Sequence, residues 1–336
     1  MENSPLVSIL AVSYNHAKWV EEALESIRLQ TYSNIQLVIL DDHSTDNTVE
    51  IIKQWIEKHQ VKCTFIAHKE NLGVCKTYNE GVRLCKGKYY STLSCDDLLF
   101  LDKTKNQVDF FESQTKDTGM IYSDAIIYDE LKASKPYNFI SHHRNDRLKP
   151  SGDIFEELLT KNFIPAMSVL VRKDVFDELG GFDEALVFED YDLFLRIAEK
   201  YKILFLEGTM INFRIHGENL HINMHKKPGY HRSLSSIYLK HTHHSETAKL
   251  KLTEMINQLD ELEFLRKESA RLPICIKTID SLNQNHHKMR TSWRYRIGNY
   301  LLKILSLVNS TAKKDIFNEL FETAFDEYQS KMNKLK

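Results

Sequence analysis

The chain begins with short apolar runs separated by helical patterns. Residues 6–13 (Leu-Val-Ser-Ile-Leu-Ala-Val-Ser), 35–40 (Ile-Gln-Leu-Val-Ile-Leu) and 62–67 are mostly apolar and rich in β-branched side chains, as strands covered on both faces are. Between them, Val20, Leu24 and Ile27 recur at helical spacing, and so do Val49, Ile52 and Ile56. Buried strands alternating with helices predict an α/β fold whose parallel sheet is covered by helices on two sides. A further apolar run, Tyr89-Tyr90-Ser91-Thr92-Leu93, extends that pattern. Residues 168–172 then read as a strand, 173–179 as a short helix and Gly180-Gly181 as a turn. Residues 134–152 are polar, contain two prolines and show no period, so they read as a mobile surface loop.

Glycine becomes scarce after about residue 225, where long helical patterns begin, at roughly 249–270, 274–288, 291–308 and 312–333. The expected organisation is a domain over 1–225, with halves at about 1–97 and 98–225, followed by a helical extension over 226–336. Within the extension, 288–305 combines Arg290, Arg294 and Arg296 with Trp293, Tyr300, Leu301 and Leu305. Such a helix either lies in the plane of a membrane surface or packs on the first domain or a second subunit. The run His241-Thr242-His243-His244 reads as a solvated histidine cluster rather than a metal site.

In open α/β sheets ligands collect beyond the carboxyl ends of the strands. Those ends here carry Ser13-Tyr14-Asn15, Asp41-Asp42 and Asp96-Asp97. Two adjacent carboxylates at a buried strand end repel one another unless a proton or a cation relieves them. The pair is therefore either a site for a hard divalent ion bridging to substrate phosphates, or an acidic start to the next helix. Tyr14 offers a stacking face and Asp42 an acceptor for a base or ribose, which together suit a nucleotide. Residues 71–79 (Asn-Leu-Gly-Val-Cys-Lys-Thr-Tyr-Asn) read as a turn into a helix whose first amides face a diphosphate. Neither GxGxxG nor GxxxxGK[ST] occurs at this place, which argues against dinucleotide oxidoreductases and P-loop phosphotransferases. A last acidic group, Glu189, Asp190 and Asp192, precedes an amphipathic stretch; it is either a helix start favoured by the macrodipole or the source of a general base.

Bulk properties narrow the field. With 45 Lys+Arg against 47 Asp+Glu, the 336-residue chain has a net charge of −2 and no global field to recruit nucleic acid. The five cysteines, at 63, 75, 85, 95 and 275, lack CxxC spacing, so a reducing cytosol fits better than a disulfide framework or a zinc site. The first residues lack a basic segment followed by an apolar core, and no run reaches the ~18 apolar residues of a membrane span.

The order of these motifs resembles the family 2 inverting glycosyltransferases, which have the GT-A fold, a Rossmann-like mixed sheet flanked by helices. The landmarks are residues 7–15, Asp41-Asp42-His-Ser-Thr-Asp46, Asn71-Leu-Gly73 with Asn79-Glu-Gly81, Asp96-Asp97, Gly180-Gly-Phe-Asp183 and Glu189-Asp190, over about residues 5–220. The resemblance implies transfer of a sugar from a nucleotide-diphosphate sugar with inversion, assisted by Mn²⁺ or Mg²⁺. It implies donor contacts at Ser13, Tyr14, Asn15, Asp42, Asn71 and Asp96, a metal at Asp97 with Asp96 and His216, and a catalytic base at Asp190. Glu189, Asp192 and Arg214 fall on the expected acceptor side. Many relatives carry a third carboxylate where this chain has Ser94, which weakens the expected metal site. A UDP-sugar is the first expected donor and dTDP-rhamnose the second. The acceptor is expected to be a glycan or lipid-linked hydroxyl in capsule or O-antigen synthesis, worked on in the cytoplasm or at the inner membrane face. A non-catalytic sugar-nucleotide or polysaccharide-binding subunit and a sugar nucleotidyltransferase are the competing readings. The second should show a glycine- and basic-rich loop at residues 10–20, which contain none.

Overall fold

In a computed structural model the chain divides into a compact unit, Met1–Leu252, and a second, Thr253–Lys336. The described residues are 4–132, 135–144, 148–217, 219, 224 and 229–255. The helical patterns expected at 274–288, 291–308 and 312–333, most of that at 249–270, and the basic stretch 288–305 lie outside them.

The first half of the unit alternates strand and helix. Strand β1 (Val7–Ser13) is buried along its whole length, β2 (Ile35–Asp41) over its last five residues, and β3 (Cys63–Ala67) is the half-covered edge. Helix α1 (Val20–Arg28) turns Val20, Ala23, Leu24 and Ile27 to the core. Helix α2 (Thr48–His59) turns in Thr48, Ile52 and Trp55, with Val49 and Ile56 only half-buried. Helix α3 (Val74–Leu84) closes on the sheet through Gly81, where a Cβ would sit 2.4 Å from the Leu10 side chain. Strand β4 (Tyr89–Ser94) joins β1, and β1–β2, β1–β4 and β2–β3 are all parallel. This is the architecture that strands apolar on both faces require.

Beyond β4 the sheet becomes mixed. A two-residue strand, β5 (Leu98–Leu99), follows, then helix α4 (Lys103–Glu112) and the long β6 (Thr118–Asp129). Residues 134–152 were expected to be a mobile loop, and the structure corrects this. Tyr137–Asn138 (β7) pairs antiparallel with β6, and Phe139–His143 (α5) follows with Ile140 fully buried. The tether is Asp124 of β6, whose carboxylate accepts the Ile140 N–H at 3.0 Å and the Asn138 side-chain amide at 3.0 Å. A partner that far away leaves no period in the local sequence.

After α6 (Phe155–Thr160), β8 (Leu170–Arg172) runs antiparallel to both β4 and β6, and α7 (Lys173–Glu178) leads to Gly180-Gly181. Helix α8 (Asp190–Lys200) then leads into β9 (Lys202–Ile215), which lies parallel to β6 and antiparallel to β5. The order is β3-β2-β1-β4-β8-β6-β9-β5, with β7 outside β6. Helix α9 (Tyr230–His241) belongs to the same compact unit, past the composition change at residue 225, because Ile237 and Tyr238 are buried and Lys240 pairs with Asp192. Cys63, Cys75, Cys85 and Cys95 are free thiols. No helix among the described residues is long and apolar enough to cross a membrane.

Candidate active site

The strand tips of β1 and β2 are stitched to one another by side chains. Asp41 accepts the Ser13 hydroxyl at 2.7 Å, the Ser44 hydroxyl at 2.5 Å and the Ser44 N–H at 2.8 Å. Asn15 takes a left-handed backbone (φ 57°), its N–H donating to Ser44 Oγ and its side-chain oxygen accepting from the Thr45 N–H, each at 2.8 Å. The first loop is thereby fixed, and Tyr14 projects from it 40 % exposed, with its ring open to a ligand. Asp42 is drawn into the frame. Its carboxylate accepts the N–H groups of Leu72 (2.8 Å) and Gly73 (3.0 Å) and lies 3.0 Å from His68 Nδ1. Asn71 donates to the Asp42 carbonyl at 3.1 Å. The amides of Leu72 and Gly73, expected to face a diphosphate, are thus engaged by Asp42.

The acidic pair leaves β4 as a turn rather than as a helix start, which removes the capping alternative. Asp96 Oδ2 lies 3.1 Å from His216 Nε2 and accepts the Asn219 amide at 3.1 Å, whereas the buried Oδ1 has no hydrogen-bond partner among the described residues. Burial works to raise the Asp96 carboxyl, but contacts with His216 and His16 outweigh it and hold the group well below the usual carboxylate range. Asp97 goes the other way: burial first, then the Asp96 charge, push it well up, against the opposing hydrogen bond from the Arg214 N–H at 2.9 Å. An orphaned oxygen beside a carboxyl that is costly to ionise suits a divalent cation, whose charge would satisfy the one and ionise the other.

Asp190 stands at the first turn of α8. Its carboxylate accepts the Tyr191 N–H at 2.7 Å and the Asn162 side-chain amide at 3.2 Å. Burial nonetheless raises its proton affinity above that of an ordinary aspartate, because two hydrogen bonds do not repay the lost water. The preceding Gly180-Gly181 turn has φ of 79° and 80°, and Asn79 of α3 holds the next residue, accepting the Phe182 N–H at 2.9 Å and donating to its carbonyl at 2.9 Å. This long-range clasp couples α3 to the segment that leads to Asp190.

One cavity of about 1060 Å³ is lined by Ser13, Tyr14, Asn15, Asp42, Asn71, Asp96, Asp97, Glu189 and Asp190. Residues separated by more than 170 positions therefore share one opening. Three expected site residues do not line it. Asp192 is wholly buried and paired with Arg196 (2.8 Å) and Lys240 (2.5 Å), one helical step away from the face that carries Asp190. Arg214 is buried and paired with Glu22 of α1. His216 lies under the site rather than in it, stacked on Trp19 at 3.9 Å and directed at Asp96. Residues absent from the sequence expectation also reach the cavity. His16 lies 3.8 Å from Asp96, and Asn219 links Asp96 to the end of β9; His16 directly follows the Ser13-Tyr14-Asn15 tip, a signal that could have been read. Phe139, His142 and His143 of α5 complete the wall opposite, with Asn162 and Met167.

Residues 8–180 match the family description Glycosyl transferase family 2, slightly more than half of the chain. The chain belongs to this family. A relative from Rickettsia felis, named an uncharacterized glycosyltransferase, is 29% identical over 286 residues, covering 84% of this chain but 43% of that protein. This chain thus spans less than half of that relative's length. Among solved structures, S. aureus TarS in complex with UDP matches with a TM-score of 0.55 at 16% identity, over 75% of this chain and 71% of that one. The Pyrobaculum calidifontis mannosyltransferase PcManGT in complex with GDP-Man and Mn²⁺ matches at 0.57 and 15% identity, over 98% of this chain and 88% of that one. At such identities the likeness shows the fold, which is the GT-A glycosyltransferase fold.

Proposed function

We propose that this family 2 member is an inverting, metal-dependent glycosyltransferase that moves a sugar from a nucleotide-diphosphate sugar to a hydroxyl of a glycan or lipid-linked acceptor. The observation that carries the proposal is the convergence of Tyr14, Asp42, Asp96, Asp97 and Asp190 on one cavity. Tyr14 stacks on the base, and the loop braced by Asp42 lies beside it. Asp96 and Asp97 would hold Mn²⁺ or Mg²⁺, which neutralises charge on the departing diphosphate when bound. Asp190, with its raised proton affinity, takes the proton of the acceptor hydroxyl as that oxygen bonds to the anomeric carbon and the bond to the diphosphate breaks. A single displacement inverts the anomeric centre and needs no sugar-enzyme intermediate. His216 and Asn219 keep Asp96 oriented from behind.

The uridine of a UDP-sugar is the first donor we assign and dTDP-rhamnose the second; support for a nucleotide donor comes from the fold shared with TarS and PcManGT, whose structures hold UDP and GDP-Man. Phe139, His142 and His143 form the acceptor wall, in keeping with a sugar ring stacked on an aromatic face. The setting we assign is bacterial surface-polysaccharide synthesis on the cytoplasmic side, with 288–305 as the stretch that would meet the membrane or a second subunit. Replacing Asp190 by Asn tests the assignment. Transfer measured as nucleotide release should fall ~10²–10⁴-fold while UDP still raises the melting temperature in the presence of Mn²⁺. Undiminished transfer would remove Asp190 as the base, and failure of both UDP and dTDP to stabilise the protein would remove the donor assignment.

A further inference from the structure

The histidine run at the end of α9 meets an acidic partner from a distant part of the chain. Glu199, near the end of α8, stands beside His243 and His244, and the three offer ligand atoms all within 4.8 Å of one another. His244 Nε2 is 3.3 Å from a Glu199 carboxylate oxygen, and its Nδ1 is 2.9 Å from His243 Nε2. Two ring nitrogens at that distance need either a shared proton or a cation between their lone pairs. The arrangement is braced from behind. His241 is 2 % exposed, and neither of its ring nitrogens has a hydrogen-bond partner among the described residues; its Nδ1 lies 3.4 Å from the other Glu199 oxygen. Phe155 of α6 stacks on the His244 ring at 5.3 Å and meets His241 edge-on at 5.2 Å, while Ser245 donates to Glu156 at 3.1 Å. None of these residues lines the cavity that holds Asp96, Asp97 and Asp190.

We propose that Glu199, His243 and His244 form a metal site of their own, for a divalent transition ion of the zinc class. Two imidazoles and one carboxylate are the donor set that borderline ions such as Zn²⁺ prefer, whereas Mg²⁺ and Ca²⁺ favour oxygen alone. Three protein ligands leave the remaining position to water, as the exposure of the site allows. An ion here cross-links the end of α8, whose first turn carries Asp190, to the segment that follows α9.

The test uses the untagged full chain, dialysed against Zn²⁺ with excess Mg²⁺ present, with bound zinc measured by elemental analysis and affinity by calorimetry. Wild type should retain one Zn²⁺ per chain. The double variant His243→Ala/His244→Ala should bind it at least tenfold more weakly, and Glu199→Gln should also lose affinity. Because all three side chains are exposed, these variants should melt like wild type in chelator, which separates lost ligands from lost fold. Asp97→Asn should keep its zinc. Equal binding by wild type and the double histidine variant would overturn the proposal, as would loss of zinc from Asp97→Asn or no binding by wild type.

Discussion

Lys103, at the first turn of α4, is an amine in the core with no carboxylate within reach among its contacts. It is 1 % exposed and donates to Ser91 Oγ and Gln107 Oε1, both at 2.8 Å, directly behind the strand that ends in the acidic pair. Burial pushes its pKa down from 10.5 to about 7. The unfolded chain keeps that proton up to the ordinary value, so unfolding takes up a proton between pH 7 and 10.5 and the fold gains stability as pH rises through that window. At pH 7 the displaced ionisation costs the native state about 4 kcal/mol, and at pH 9 about 2 kcal/mol. Lys103→Met removes the amine while keeping most of the volume, and strands Gln107 Oε1 and a lone pair of Ser91 at a cost of about 1–3 kcal/mol. The variant should therefore be more stable than wild type by roughly 1–3 kcal/mol at pH 7, and that advantage should shrink by about 2 kcal/mol by pH 9. Urea titrations of both proteins at pH 7, 8 and 9, followed by tryptophan fluorescence, measure the difference directly. A difference that does not change with pH would refute the reasoning, since it would mean that Lys103 stays charged in the fold.

Two other outcomes follow from the same geometry. Asp192→Asn should cost about 3 kcal/mol of stability, read as a lower denaturation midpoint, because it breaks the buried contacts with Arg196 and Lys240, yet leave the affinity for UDP unchanged by calorimetry. A normal midpoint with lost nucleotide binding would place Asp192 in the site instead. Tyr14→Ala should weaken UDP binding about 5- to 150-fold, the worth of one stacked base at about 1–3 kcal/mol, with no loss of stability because the ring is 40 % exposed.

The first half of the compact unit was legible because its signals are local. Strands β1, β2 and β4 are buried on both faces over most of their length and so are mostly apolar, and the polar residues that end them had to fall on one rim. The Gly180-Gly181 turn and the start of α8 were equally readable, since positive φ and a helix's first turn select their residues by backbone chemistry alone. What escaped was whatever depends on a distant partner. The polar segment holding α5 looked shapeless until Asp124 supplied its hydrogen bonds, and Asp192 looked like a twin of Asp190 until Arg196 and Lys240 enclosed it.

Side-chain direction made the same division at the acidic sites. Asp41 and Asp42 are neighbours in the chain, yet one ties two strand tips together and the other braces the 71–73 loop, because successive residues at a strand end face opposite ways. Glu199 could not be assigned to His243 and His244 before the turn after α9 came back against α8. Periodicity and backbone preference act over a few residues and are written in the order of the amino acids. Burial, pairing and proton affinity are set by whatever else folds up alongside, and for Asp96, Asp97, Lys103 and Asp190 that was settled only when segments far apart in the chain closed around them.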